Sequence, residues 1–379
     1  MGYPSKIIGL MLAALFCVAG APAQAQDYQS VFDQLLFNPT NPTLNIRYAE
    51  LSEQRGDLRK ALGAYERLLS MDPTNKQVRR EYNRIKNRLL PNVTSVTVDI
   101  GLDYATNPLQ LPSFFKDEDD FTVSGGLQLF DERTVFDHRW RTVGFARGQV
   151  QFDISQLNDA QGSIWTGPVF NLDTKTRLHI APGTGVAFLD DQYLWYDALT
   201  RVTLERIVGG ATQTISTLVD YRTTNDSFDG SDGWLVEVEG NFSVHQKIFP
   251  GDSLYVLPRF RYSEPTGSGP GRVFSRPLFP GDFIEYGSRA AYFVPVLNNK
   301  MVLGGGFGAY YRDYDQNVAF STEKREDWYL EPTAHVIFPS LISAQTDLRA
   351  DYRFEYNDSN DRTEEFENHV VGMRAVRRF

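Results

Sequence analysis

The chain has 379 residues, of which 41% are hydrophobic and 13% aromatic, and its formal net charge is −10. An acidic balance without a block of lysine and arginine argues against nucleic acid as a partner. The mean hydropathy of −0.36 is too polar for a protein that crosses a membrane with helices.

The first segment of the chain is its longest apolar run, residues 7–23, which follows Lys6. A basic start, an apolar stretch and a small-residue site at 23–25 are typical of a secretory signal peptide. We predict a signal peptide over residues 1–25 in preference to a retained membrane anchor. The single cysteine, Cys17, lies in this segment, so the mature chain would have no disulfide, reactive thiol or cysteine-bound zinc.

A small helical module is predicted next, over residues 26–91. Residues 48–73 combine helix formers, apolar residues at three- and four-residue spacing, and a break at Gly56-Asp57. This stretch resembles one tetratricopeptide repeat (TPR), and residues 74–90 would form a third helix that covers the pair. A single repeat would serve as a groove for a peptide or protein, or as a plug, spacer or packing adaptor. The matching positions are Tyr48, Ala49, Gly56, Ala61, Tyr65 and Pro73.

After Pro91 the hydrophobic period changes to two and remains so to residue 379. In residues 345–356, for example, an apolar set that includes Ala350 alternates with a charged set that includes Arg349. We therefore predict an all-β transmembrane barrel of about fourteen antiparallel strands over residues 92–379, because most segments have the length that crosses an outer membrane. The predicted strands are 94–106, 120–131, 140–156, 161–172, 176–189, 192–208, 211–225, 233–249, 252–264, 283–297, 300–314, 326–338, 344–357 and 367–379.

The connections and the aromatic residues favour a barrel over its main alternative, a secreted β-sandwich. Every second connection is short, as at residues 172–175, whereas long polar connections such as 265–282 fall at the other end. Aromatic residues in or at the ends of strands would form interfacial girdles if they point outward. The tryptophans in question are Trp140, Trp165, Trp195, Trp234 and Trp328.

The last strand carries a further indication. Val371, Met373, Ala375 and Phe379 share one face, and this pattern resembles the terminal strand that the outer-membrane barrel-assembly machinery recognises. We predict that these four residues form the barrel-insertion signal. The alternative is an ordinary amphipathic edge strand.

No catalytic or metal-binding pattern stands out. The histidines have no spacing of a metal pair or of a nucleophile with its base, and the acidic residues 116–120 lack the regular ligand spacing of a calcium loop. We therefore predict no enzymatic activity, no cofactor and no metal. The histidines are His138, His179, His245, His335 and His369.

The predicted inner face of the barrel carries charges of both signs, which argues against a simple anion- or cation-selective pore. These charges would pair across strands and hold the barrel in shape, line a hydrated conduit for a polar passenger, or do both. The predicted lumen-lining residues are Arg147, Asp153, Asp197, Arg201, Glu205, Glu237, Glu239, Arg259, Arg261, Glu285, Arg289, Asp347, Arg349, Asp351, Arg353 and Arg374, with Arg378 beside them.

The order of parts resembles the surface lipoprotein assembly modifier family, in which periplasmic TPRs precede a barrel. Residues 101–112, GLDYATNPLQLP, resemble the glycine–aromatic–Asn segment that follows the repeats in that family. The resemblance implies a secretion or surface-display channel in the outer membrane of a Gram-negative bacterium. A periplasmic module would receive a passenger protein, for example a lipoprotein. The implied partners are outer-membrane lipid, the barrel-assembly machinery and the periplasmic passenger. The alternatives are an exopolysaccharide export porin and a plugged structural barrel.

Overall fold

The computed structural model describes residues 21–379 apart from 113, 116–117, 174, 191, 226–231, 247, 267–281 and 319–320. Residues 1–20 of the predicted signal peptide lie outside the described residues, as do most of the long connections at 225–233 and 265–282. The chain forms two compact units. One comprises Met1–Pro91 with Thr134–His138, and the other comprises Asn92–Arg133 with Arg139–Phe379.

Among the described residues, the first unit contains four helices, and an asparagine side chain caps the start of two of them. The carboxamide oxygen of Asn41 accepts a hydrogen bond from the Leu44 N–H at the start of the second helix, and that of Asn75 accepts from the Gln77 and Val78 N–H groups at the start of the fourth. Gly56, with φ of +78°, makes the turn between the second and third helices. The helices are α1 (Ala21–Phe37), α2 (Pro42–Gln54), α3 (Leu58–Met71) and α4 (Lys76–Leu89).

The helices pack around one apolar cluster. Of the TPR-like positions, Tyr48, Ala49, Ala61 and Tyr65 are buried in it, and Pro73 follows the end of α3. The predicted third helix, α4, contributes Val78 and Ile85 to the same cluster. In the part of the chain that the structure describes, no helix is long and apolar enough to cross a membrane.

The second unit is a closed barrel of fourteen strands, which confirms the predicted fold class and strand number. Strands that follow each other in the sequence are neighbours in the sheet, and β1 pairs antiparallel with β14 to close it. The strands are β1 (Val93–Ala105), β2 (Asp120–Val135), β3 (His138–Gln151), β4 (Asp159–Asn171), β5 (Thr176–Leu189), β6 (Gln192–Val208), β7 (Ala211–Thr224), β8 (Gly233–His245), β9 (Ser253–Pro265), β10 (Phe283–Val296), β11 (Met301–Asn317), β12 (Lys324–Ser343), β13 (Thr346–Ser359) and β14 (Phe366–Arg378).

The two faces of the barrel wall have opposite chemistry. Apolar side chains project outward at alternate positions, as Ile100 on β1 (62% exposed) and Met373 on β14 (55% exposed) show. Charged side chains occupy the positions between them and are largely buried on the inner face. Trp140, Trp234 and Trp328 are exposed on the outer face, as predicted.

Two tryptophans differ from the girdle prediction. Trp165 and Trp195 stand on the inner face, where the guanidinium groups of Arg201 and Arg222 lie 4.9 and 4.7 Å from their ring centroids. Strand alternation places them there, because their outer-face neighbours Ile164 and Tyr196 are the exposed residues. The cation–π contacts make the inner position favourable for a large ring.

The two ends of the barrel differ in their connections, as the sequence predicts. At one end, which we call the turn end, β6 and β7 are joined by Gly209 and Gly210 alone, both at positive φ. At the opposite loop end, β1 and β2 are joined by residues 106–119.

Candidate functional site

Two cavities lie along the inner wall formed by the described strands. A smaller cavity of about 440 Å³ is lined by strands β3 to β11. A larger cavity of about 740 Å³ is lined mainly by β1–β3 and β12–β14. Arg289 contacts both. Of the predicted lumen residues, Arg201, Glu239, Arg259 and Arg289 line the smaller cavity, and Arg147, Arg289, Arg349, Asp351, Arg353 and Arg374 line the larger one.

Apart from Asp153, the other predicted lumen residues lie on the wall without lining either cavity. Asp197 is buried on β6. The rest are members of ion pairs, namely Glu205 with Arg141 and Arg177, Arg261 with Glu237, Glu285 with Arg259 and Arg312, and Asp347 with Arg378.

Asp153 is placed outside the strands. The prediction extended the third strand to residue 156, whereas β3 ends at Gln151. The Asp120 carboxylate accepts hydrogen bonds from the backbone N–H groups of Asp153 (3.1 Å) and Ile154 (2.9 Å). These donors are therefore unavailable to the ladder, and Asp153 lies in the connection that follows β3.

A five-residue ion network lies near the turn end, and four of its members were not predicted from the sequence, since only Glu205 is among the predicted lumen residues. The Glu132 carboxylate oxygens accept hydrogen bonds from the guanidinium groups of Arg139 (3.0 Å), Arg141 (2.8 Å) and Arg177 (2.9 Å). Arg141 and Arg177 also bond to Glu205, at 2.5 and 2.7 Å. The sequence pattern could have indicated two of these residues. Counting every second residue back from Arg147 along β3 reaches Arg141 and Arg139, which therefore share the inner face.

A second network centres on Glu285 of β10, whose side chain is 0% exposed. Its two oxygens accept from Arg259 of β9 (2.9 Å) and from Arg312 of β11 (2.5 Å). One buried carboxylate thus ties three adjacent strands together. Charge-assisted bonds of this kind fix the guanidinium positions as well as the strand spacing.

The wall of the larger cavity holds a chain of polar side chains. His335 Nδ1 lies 2.6 Å from Asp351 Oδ1, and its Nε2 lies 3.2 Å from Thr333 Oγ1. Arg374 lies 3.5 and 3.7 Å from the carboxylates of Asp99 and Asp103. These contacts keep both signs of charge on this wall in fixed positions.

The segment after β1 folds toward the larger cavity. Asn107, 1% exposed, bonds the segment to itself through the Leu111 N–H (2.8 Å) and carbonyl (2.9 Å). It also bonds to β14, since its N–H donates to Asn368 Oδ1 at 2.9 Å and its Nδ2 donates to the Glu367 carbonyl at 3.1 Å. Pro108 and Gln110 thereby line the larger cavity.

A third cavity, of about 440 Å³, lies on the helical unit. Its lining combines Ile46 and Val78 with three carboxylates. Glu53 holds Arg84 at 2.5 Å and accepts from the Tyr65 hydroxyl at 3.1 Å. Burial, together with the Glu53 charge, raises the pKa of Tyr65, which stays protonated as a donor.

The terminal-strand residues occupy the outer face. Val371 and Met373 are exposed on β14, Ala375 is half-buried two positions on, and Phe379 follows the strand. Among the residues that the structure describes, no group of three or more His, Cys, Asp or Glu side chains is arranged to hold a metal ion.

Comparison with known proteins finds no matching family model and no matching curated protein. A solved structure described as a bacterial polysaccharide outer membrane secretin aligns with 74% of this chain and 98% of its own, at 12% identity and a TM-score of 0.39. The outer membrane protein opdK from Pseudomonas aeruginosa aligns with 76% of this chain and 99% of its own, at 10% identity and a TM-score of 0.37. OccAB3 of Acinetobacter baumannii aligns over the same shares, at 9% identity and a TM-score of 0.39.

The chain is thus a closed fourteen-strand barrel that is similar to outer-membrane barrels of known structure. With TM-scores this low, the likenesses carry no argument about what passes through it. The resemblance to the surface lipoprotein assembly modifier family stays a prediction.

Proposed function

We propose that this chain is an outer-membrane channel of a Gram-negative bacterium. The observation that carries the proposal is the division of the barrel wall into an apolar outer face and a charged inner face around two cavities. A closed barrel leaves no unpaired strand edge, so such a wall meets lipid outside and a polar passenger inside. We propose no enzymatic role and no cofactor.

The passenger we propose is a protein that crosses in an extended form and is received by the TPR-like unit in the periplasm. The cavities of about 440 and 740 Å³ suit a chain segment rather than a folded domain. The groove on the helical unit, where Ile46 and Val78 lie beside polar side chains, supports a role in receiving a polypeptide.

Polysaccharide export is the second candidate, and the aromatic lining favours it. Trp165 and Tyr310 line the smaller cavity, although the sequence predicts a chiefly charged inner face. Aromatic faces would support sugar rings as they move. An arginine covers part of each ring: the guanidinium of Arg201 lies 4.9 Å from the Trp165 ring centroid, and that of Arg259 lies 4.1 Å from the Tyr310 ring centroid.

Planar-bilayer recording tests the channel. The full chain and a variant without residues 26–91 are reconstituted separately, and ionic conductance is measured for each. Conductance steps from the full chain support the proposal. Steps only after the deletion show that the helical unit occludes the pore. A silent membrane with both proteins contradicts a channel and favours a plugged structural barrel.

Blocking experiments separate the two passengers. Block by an unfolded polypeptide that depends on residues 26–91 supports protein secretion. Block by a neutral dextran oligomer that Trp165→Ala weakens supports polysaccharide export instead.

A further inference from the structure

The smaller cavity is built on one register row of the sheet. Residues that pair across successive strands from β5 to β11 all present their side chains to it or make room for those that do. Gly287 is the member without a side chain, and a Cβ there would lie 2.6 Å from the Tyr310 ring. The glycine therefore lets that ring lie against the wall. The row is His179, Thr203, Ser216, Glu239, Arg259, Gly287 and Tyr310.

The lining has an excess of arginine, with Arg141, Arg201, Arg259 and Arg289 against the single carboxylate of Glu239. Carboxylates that do not line the cavity hold three of these arginines in place. Arg141 bonds to Glu132 and Glu205, Arg259 to Glu285 and Arg289 to Glu331. Their guanidinium groups are therefore positioned before any ligand arrives.

Arg201 is different. Within the described ranges no carboxylate lies within ion-pair distance of it, and its buried Nε has no hydrogen-bond partner. Its one hydrogen bond is a long contact of 3.3 Å from Nη1 to Ser216 Oγ, and Trp165 lies under the guanidinium plane. A second unpartnered atom belongs to His179, which lines the same cavity, is 2% exposed and has a buried Nε2 with no partner in the described structure.

Buried polar atoms without partners cost free energy, so their presence on one wall indicates where a ligand's polar atoms belong. A planar guanidinium fork with a free edge matches a carboxylate. Glu239 is the register partner of Arg259 and makes no ion pair with any residue that the structure describes, so it would accept hydrogen bonds from hydroxyl groups of the same ligand. Trp165 and Tyr310 supply flat apolar surface.

We propose that the smaller cavity is a binding subsite for a hydroxylated carboxylate of monosaccharide size, with Arg201 as the principal carboxylate ligand. The site rests on the proposed function in that a solute must reach the lumen. Arginines outnumber carboxylates in the lining of the smaller cavity, whereas the lumen as a whole contains charges of both signs. The subsite therefore gives affinity for a carboxylate group and not a general selectivity for anions.

The test is calorimetric titration of the detergent-solubilised full chain with D-glucuronate, using D-glucose as the neutral match. We expect glucuronate to bind and glucose not to. Arg201→Gln should weaken glucuronate binding about tenfold or more, the loss expected for a charged hydrogen bond. Arg353→Gln removes an equal charge from the wall of the larger cavity, where Arg353 pairs with Glu355 at 2.8 Å, and should change affinity less than about twofold.

Heat-modified migration on gels reports whether each variant forms its barrel. If Arg201→Gln does not fold, Arg201→Lys keeps the charge without the planar fork and should bind glucuronate measurably more weakly than the unaltered chain. Equal binding of glucose, or equal losses from Arg201→Gln and Arg353→Gln, would overturn the subsite. Glucuronate binding by a protein that conducts no current contradicts the channel alone, and conductance without glucuronate binding contradicts the subsite alone.

Discussion

The helical unit and the barrel bury opposite kinds of side chain. In the helical unit, Tyr48, Leu68 and Ile85 form an apolar core beneath a charged surface. In the barrel the buried positions include Glu132, Glu285 and other charged residues, and many large apolar residues are exposed. The same physics produces both arrangements, because apolar groups leave water in each case. In the barrel they would move to lipid, which lies outside the protein.

The comparison also shows where precision is needed. Apolar contacts are non-directional, so the helical core depends on volume and shape. The barrel interior depends on directed pairs, in which the loss of one partner leaves the other charge unmatched. Substitutions in the two units should therefore have different costs.

The largest effect is expected where a single carboxylate serves two arginines. Glu285→Gln should destabilise the barrel by about 3–5 kcal/mol, because Arg259 and Arg312 would lose their shared buried partner. Urea unfolding of the barrel in detergent measures the change. Glu367→Gln is the matched control, because Glu367 is an exposed residue of β14. An equal loss of stability in the two variants would show that the network has no special role.

The next effect tests which solvent meets the outer face. Ala350→Arg places a charge on the outer face of β13 and should cost about 2–4 kcal/mol if that position is near the bilayer midplane. Recovery of heat-modifiable barrel from outer membranes is the measurement. Arg349→Gln, on the inner face, should have much less effect, and equal tolerance at both positions would contradict the assignment of the faces.

A comparable loss is expected in the helical unit from a cavity rather than a charge. Leu68→Ala should destabilise the helices by about 2–4 kcal/mol, because Leu68 is buried in the cluster. Thermal melting followed by circular dichroism at the helical wavelength would measure this. The exposed Met71→Ala is the control. Simultaneous loss of heat-modifiable barrel would show that the two units do not fold separately.

The smallest effect concerns the segment at the loop end. Asn107→Ala removes the side-chain bonds to Leu111 and to the Glu367 carbonyl, at a cost of about 1–2 kcal/mol. If the segment narrows the lumen, single-channel conductance should rise. Asn241→Ala is the control. Asn241 lines the smaller cavity and makes none of the bonds that hold the segment, so its replacement should leave the single-channel conductance unchanged.

The sequence predicts the strands well because their period is local. Alternation about Ala350 and Arg349 separates the two faces, and short turns such as the one at Gly209-Gly210 mark strand ends. Strand ends that depend on side-chain hydrogen bonds are harder to predict. The bonds to Asp120 end β3 earlier than predicted. At the other end of β3, both β2 and β3 extend into residues 132–139, which the turn signals assign to their connection, so Glu132 and Arg139 belong to the barrel wall.

The ion networks could not be predicted from periodicity. Which carboxylate meets Arg141 depends on the register of several strands at once, and register is a property of the closed sheet. The inward position of Trp165 could have been inferred once β3 and β4 are paired, because its partner Val143 is on the same face of β3 as Arg147. Its contact with Arg201 on β6 could not be inferred in this way. The row of residues that forms the smaller cavity follows from pairing along many strands.

Closure of the barrel also sets an order of events in folding. The backbone of Val96 pairs with that of Phe379, with the Phe379 N–H donating to the Val96 carbonyl at 2.8 Å. The first strand made during synthesis therefore waits for the last before its edge is satisfied, and this contact has the largest sequence separation in the sheet. Such contacts form slowly because a long loop must close first. Until then β1 presents an open ladder, so we expect the unfinished sheet to need protection from self-association during its assembly.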